Sequence, residues 1–300
     1  MTSHSKYVIL LTYQGGQMTN IQNTIEKVIK KNKNKFPNQL RDPIANFLRY
    51  SMTGYAHYHG HDEDLLSFMT FLSEPIESPC LNSNFRTDSF FETNFPTVYA
   101  NPVFEYFSET MYNMKQKNYG AGEALLAMFF DGIEQAGKIG DFVLGKKHLE
   151  VKSVVSAASL KAHENSSFRP SNEAFDRLYG AKERGLYQFW SGPLDTFKEF
   201  CKVIYPQFSE ELIEEIHSLN DDIKCRQHLG LHVLKEYKKI DKFDNLIVVK
   251  PSENGDISFL NVVDFNSEDF IKENIGFTPV LYRGRCTQAL GDGYVDIKLK

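Results

Sequence analysis

The chain has 300 residues, 41% of them hydrophobic and 24% charged, with 34 Lys and Arg against 39 Asp and Glu for a net charge of −5. A chain this long buries a core that needs no metal or disulfide staple, and the composition excludes a wholly disordered, collagen-like or coiled-coil protein. The negative balance also excludes coating nucleic acid through bulk electrostatics, while leaving room for a local basic cleft.

From the N-terminus, the apolar run Tyr7 to Leu11 is too short for a signal h-region and lacks a small-residue cleavage pattern. No stretch approaches the ~18 apolar residues of a membrane span, so no membrane partner is expected. Cys80, Cys201, Cys225 and Cys286 lie far apart with no CxxC pair, which points to a reducing cytoplasm. Tyr7 to Tyr13 reads as a strand, and Asn23 to Lys31 as a helix running into the basic stretch Lys30 to Lys35. Residues 52–98, rich in Phe, Ser, Asn, Thr and Pro with little periodicity, read as irregular and loop-heavy.

Gly122 to Ala136 carries Leu125, Met128, Phe129 and Ile133 at helical spacing and reads as one buried helix ended by Gly137. Ile139 to Leu144 and Lys147 to Val155 then read as two strands joined by the tight turn Gly145-Lys146. Helical regions follow at about Asn172 to Tyr187 and about Glu210 to Lys238. Asn245 to Lys250 is the almost wholly apolar strand expected when both sheet faces are covered. Asn254-Gly255 is a type I′ hairpin signal leading to Ile257 to Val263.

The central hairpin carries the chemistry. A two-residue II′ turn at Gly145-Lys146 pairs Leu144 with Lys147, Val143 with His148, Phe142 with Leu149, and Asp141 with Glu150. Cross-strand partners stand roughly 5 Å apart at Cβ, where like charges are destabilising. Lys152 shares the face of Glu150, because side chains on a strand alternate with a period of two. Two facing carboxylates call for positive charge. Lys152 supplies one, and a hard divalent cation such as Mg²⁺ supplies the rest, with the backbone carbonyl of Val151 a further oxygen ligand and substrate phosphates completing the shell. Glu123, in the first turn of the preceding helix, could aim at the same metal.

Glu123, then Gly140-Asp141, then Glu150-Val151-Lys152-Ser153, in the order helix, strand, strand, resembles the PD-(D/E)xK nuclease superfamily, whose core runs α-β-β-β-α-β. Gly140 stands where the family motif often has Pro. The resemblance implies an α/β fold with a restriction-endonuclease-like core, a mixed β-sheet flanked by helices, and an N-terminal extension. It implies a Mg²⁺-dependent deoxyribonuclease in which Asp141 and Glu150 hold the metal, Lys152 orients or activates the attacking water, and Glu123 assists metal binding. Mn²⁺ is expected to substitute for Mg²⁺. The expected organisation is an N-terminal region at 1–104 that recognises DNA or a partner, a nuclease core at 105–265, and a C-terminal extension at 266–300 packed on that core. Cutting both strands of DNA in one event would require a homodimer. The competing reading is a non-catalytic interaction or virion structural protein whose hairpin acids are merely structural.

Three other acid-x-Lys triplets serve as internal controls. Asp222-Ile223-Lys224 and Glu236-Tyr237-Lys238 fall in stretches read as helical, where i and i+2 do not share a face. Asp296-Ile297-Lys298 has its nearest upstream Asp at 292, too close for a hairpin. His57, His59 and His61, followed by Asp62 and Asp64, lack a compact zinc spacing and read as a polar loop. Lys30, Lys31, Lys33 and Lys35 read equally as phosphate contacts or a solvated helix end. Trp190 with Tyr187 and Phe189 reads as core, Lys182 and Arg184 as phosphate contacts, and Gly291-Asp292-Gly293 as a turn. With so acidic a chain, DNA binding should be confined to a cleft around Lys146, Lys147 and Lys152 and be sensitive to salt and metal.

Overall fold

The computed structural model describes residues 15–76, 79–116, 119–137, 139–155, 157–161, 187–189, 197–205, 208–282 and 292–300. The strand expected at Tyr7 to Tyr13, the helix expected from Asn172, and Lys182, Arg184, Trp190 and Gly291 lie outside these residues. Tyr187–Phe189 forms a short strand.

The N-terminal third is helical: α1 (Gly15–Asn32), α2 (Asn38–Asn46), a π-helical turn (Phe47–Met52) running into α3 (Thr53–His59), and α4 (Asp62–Ser73). This corrects the expectation of an irregular segment at 52–98. Leu65, Phe68, Met69 and Leu72 of α4 are all buried, a helical stripe hidden in a sequence crowded with polar and aromatic residues. After strand β1 (Phe85–Thr87) come α5 (Phe90–Asn94), α6 (Pro96–Tyr99), α7 (Phe104–Asn113) and α8 (Glu123–Phe129). The buried carboxylate of Asp256 accepts hydrogen bonds from the Phe91 and Glu92 amides at 2.8 and 3.1 Å, capping α5 from a distant part of the chain.

The helix read as Gly122 to Ala136 stops at Phe129. Gly132, at φ 72°, turns the chain, and Ile133–Gln135 is strand β2. Ile133 is buried as expected, but against Leu144 of β3 (Phe142–Leu144), its antiparallel partner. β4 (Lys147–Ser153) pairs antiparallel with β3 in the expected register, Leu144 with Lys147, Val143 with His148 and Phe142 with Leu149.

After β5 (Ala158–Lys161) and β6 (Tyr187–Phe189) come α9 (Phe197–Ile204), α10 (Glu210–His217) and α11 (Asp222–Asp241). The single helical region expected at 210–238 is therefore two helices. Both helical control triplets do sit on α11. β7 (Asn245–Pro251) runs parallel to β4, and β8 (Ile257–Val262) returns antiparallel to it. The connection is longer than a two-residue turn, although Asn254 and Gly255 hold positive φ of 54° and 73°. The chain closes with α12 (Glu268–Asn274) and the hairpin of β9 (Ile275–Tyr282) and β10 (Asp292–Leu299). The third control triplet lies on β10.

The protein is a mixed α/β structure whose main sheet has six strands in the order β1-β8-β7-β4-β3-β2, with a second sheet ordered β5-β10-β9-β6. Both faces of the main sheet are covered. Ile247 and Val249 face a core shared with α1, α4, α7 and α8, whereas Leu246 and Val248 face a core shared with α10, α11 and the second sheet. That two-sided burial explains why β7 reads as a continuous apolar run. Residues from the N-terminal third complete the first core and, through β1, the sheet itself. α11 comes very close to β9: a Cβ on Gly230 would lie 2.1 Å from Cγ of Phe277.

Candidate active site

Asp141 sits where the β3–β4 ladder ends. Its amide donates to the Leu149 carbonyl at 2.8 Å, the same residue that pairs with Phe142, so two consecutive residues address one partner. The strict Asp141–Glu150 cross-strand pair expected from the turn is thereby replaced by a bulge-like offset. Gly140 makes it possible. It holds φ 66°, and a Cβ there would stand 2.7 Å from the Leu149 oxygen. The offset lets Oδ2 of Asp141 accept from the Val151 amide at 2.7 Å.

Glu150 and Lys152 share a face of β4, as the strand period requires. The Lys152 ammonium contacts Oε1 of Glu150 at 2.7 Å, and Glu150 is only 7% exposed. The Tyr237 hydroxyl donates to the same oxygen, and the Lys152 ammonium lies 5.2 Å from the centre of the Tyr237 ring. Glu123, 6% exposed at the first position of α8, accepts from the Gly120 amide through Oε1, while its buried Oε2 has no hydrogen-bond partner.

Glu123, Asp141, Glu150, Val151 and Lys152 line a single cavity of about 760 Å³, whose other described lining residues include Gln116, Tyr119, Gln135 and Gly137, with Tyr237 and Asp241 of α11. Four carboxylates and one ammonium face it. Burial, followed by repulsion from Asp141, pushes the Glu123 carboxyl up to about 8. Burial and then the Glu150 charge push Asp141 up to about 6. Burial and the neighbouring acids likewise drive the Tyr119 and Tyr237 hydroxyls upward.

An orphaned buried carboxylate oxygen beside other acids calls for a proton or a cation. Among the described residues no group of three or more His, Cys, Asp or Glu is drawn together closely enough to hold a metal ion unaided. Mg²⁺ does not require one, since it ordinarily takes one or two carboxylates and fills its shell with water and substrate phosphate. The donor set of Asp141, Glu150 and Glu123 fits that habit.

Sequence reasoning did not identify Tyr237, Asp241, Tyr119 or Gln116. For the first two a signal was present: they stand four apart on α11 and so share a helix face. Other candidates resolve differently. Lys31 and Lys35 turn inward onto Asp131 at 3.0 and 3.2 Å, and Lys35 also caps the Phe130 carbonyl. Lys147 reaches Asn82 and Lys146 is exposed at the hairpin tip, so neither lines the cavity with Lys152. His57 pairs with Asp62 and His61 with Asp64, around the α3–α4 junction rather than in a loop. The side chains of Tyr187 and Phe189 lie outside the described residues. No described helix is long and apolar enough to cross a membrane. Comparison of the chain with protein-family models, with curated protein sequences and with solved structures found no match.

Proposed function

We propose that this protein is a Mg²⁺-dependent nuclease that hydrolyses DNA phosphodiester bonds in a restriction-endonuclease-like core. The observation that carries the reading is the convergence of Asp141, Glu150, Lys152 and the half-orphaned Glu123 carboxylate on one cavity. The element order supports it in part: α8, β2, β3, β4, α11 and β7 give the α-β-β-β-α-β succession expected of that core once β5, β6, α9 and α10 between β4 and α11 are taken as an insertion, and β7 lies beside β4.

In this reading Asp141 and Glu150 hold the cation, with Glu123 assisting and the Val151 carbonyl available beside them. Bound Mg²⁺, or Mn²⁺ in its place, supplies positive charge against the phosphate and makes a bound water more acidic. Lys152 donates hydrogen bonds to the attacking water and to a phosphate oxygen. The Val151 amide fixes one Asp141 oxygen, leaving the other for the cavity. A new bond forms from water oxygen to phosphorus as the bond to the leaving oxygen breaks; the water loses a proton and the leaving oxygen gains one. No covalent enzyme intermediate is required.

Among the described residues Lys152 is the only cation lining the cavity, against four carboxylates, so these walls repel a polyanion until a metal is bound. DNA affinity should therefore depend on metal and salt together. The deciding experiment incubates plasmid, linear DNA and RNA with the protein and Mg²⁺ or Mn²⁺, alongside Asp141→Ala and Lys152→Ala. Metal-dependent cleavage of DNA by wild type and not by the variants is expected. No cleavage of any substrate by wild type would sink the reading, and equal cleavage by the variants would move the site elsewhere.

A further inference from the structure

We propose that Tyr237 is a positioning residue of this site, holding the Glu150 carboxylate and the Lys152 ammonium in one fixed arrangement through its hydroxyl and its ring face. The inference rests on the nuclease reading and adds a residue on α11 that no motif on the hairpin includes.

One side chain meets both members of the pair by different physics. The hydroxyl donates to Oε1 of Glu150, and the ring face lies 5.2 Å from the Lys152 ammonium. Lys152 and Tyr237 both engage Oε1, which leaves Oε2 of Glu150 as the oxygen open to a cation. The ring itself cannot wander. Tyr237 is 1% exposed and packs against Phe243 with ring centres 5.2 Å apart. Its helix is anchored where Gly230 lies against Phe277.

The Glu150–Lys152 contact is a direct ion pair at 2.7 Å between side chains two residues apart on one strand, and without Tyr237 both side chains would be freer to change rotamer. The ring offers the ammonium a second attraction that uses none of its N–H donors, so the hydrogens not given to Glu150 can turn to water and phosphate. The hydroxyl keeps the carboxylate in one rotamer. Outer partners of metal-binding carboxylates commonly govern affinity in this way, by about 10- to 100-fold.

The test compares wild type, Tyr237→Phe, Tyr237→Leu and Asp141→Ala as full chains. Mn²⁺ binding is measured by calorimetry without DNA, and kcat and KM for DNA cleavage at saturating Mn²⁺. Tyr237→Phe keeps the ring and loses the hydroxyl, so it should weaken Mn²⁺ binding and lower kcat by about tenfold each, leaving KM unchanged. Tyr237→Leu also loses the ring face and should lower kcat by roughly another tenfold. If Tyr237→Phe matches wild type in both readouts while Asp141→Ala has lost both, the positioning role is refuted and the nuclease reading stands. If Tyr237→Phe melts more than about 10 °C below wild type, its role is structural and the proposal fails. A wild type that neither binds Mn²⁺ nor cuts removes both readings together.

Discussion

The Val151 amide donates to Oδ2 of Asp141 at 2.7 Å, so the acid at the end of β3 is held by the strand that carries Glu150 and Lys152. One bond from a backbone amide to a side-chain oxygen thus ties the two hairpin arms where their ladder gives out. An amide in place of the Asp141 carboxylate can still accept that bond.

Asp141→Asn should therefore fold, and fold better without metal. It removes a negative charge that burial and Glu150 disfavour. Relief of about 1 kcal/mol would raise the metal-free Tm by roughly 2–4 °C. Cleavage should fall by about a thousandfold or more, because metal-borne charge stabilisation is worth several kcal/mol and each 1.36 kcal/mol is tenfold in rate. Differential scanning calorimetry and plasmid nicking check the two halves separately.

Metal-free stability should decline as pH rises. Glu123 and Asp141 have folded-state values of about 8 and about 6, above their ordinary 4.5 and 3.8, so between those limits the folded state binds more protons than the unfolded state. Unfolding free energy then falls with rising pH, most steeply between about pH 4.5 and 6 where both groups contribute, and continues to fall to about pH 8 on Glu123 alone; the stabilisation is fully present only below about pH 4. In EDTA, Tm should drop from pH 5 to pH 8. Glu123→Gln should flatten the upper part of that curve, and added Mg²⁺ should restore Tm most at pH 8. A curve that rises with pH in EDTA would contradict the assigned charge states.

Gly140→Pro should be severely damaging, although Pro is common at this place in the resembled motif. Proline requires φ near −65°, and Gly140 holds 66°. Gly140→Ala adds a Cβ 2.7 Å from the Leu149 oxygen and should cost about 1–3 kcal/mol. Urea denaturation should rank wild type above Gly140→Ala above Gly140→Pro, with cleavage following the same order.

Lys35 should matter to the fold and not to DNA. Its ammonium is buried, bonded to the Phe130 carbonyl at 3.0 Å and to Asp131. Lys35→Met strands the buried Phe130 carbonyl, while Asp131 keeps Lys31 and the Ile76 amide, and should cost about 1–3 kcal/mol in urea denaturation. DNA affinity, measured by fluorescence anisotropy below the unfolding transition, should not change. A large affinity loss with unchanged stability would instead mark the basic run as a phosphate contact.

The hairpin was legible because its rules are local. Gly145-Lys146 fixed the register from Leu144–Lys147 to Phe142–Leu149, and alternation placed Lys152 beside Glu150. The offset at Asp141 was not legible, since it depends on a left-handed Gly140 fitting against Leu149. Residues 52–98 misled because their phenylalanines pack with partners far along the chain; Phe90 stacks on Phe259 at 4.5 Å. The end of α8 was misplaced because Ile133 continues the helical spacing while actually pairing across a sheet. Tyr237 belongs to a triplet that helical geometry sets aside, and its bond to Glu150 spans 87 residues. The i, i+4 spacing of Tyr237 and Asp241 shows a shared helix face but not which strand that face meets.

The pairing of β1 with β8, Phe85 with Asn261 and Thr87 with Phe259, has a consequence for synthesis. An edge strand made early must wait for a partner made late, and the closure of so long a loop is entropically costly and slow. The cavity waits as well, since Glu150 precedes by 87 residues the tyrosine that meets it. A ribosome-bound chain therefore carries the hairpin acids well before the wall that completes their pocket. The cavity around those acids cannot close until Tyr237 and Asp241 have been made.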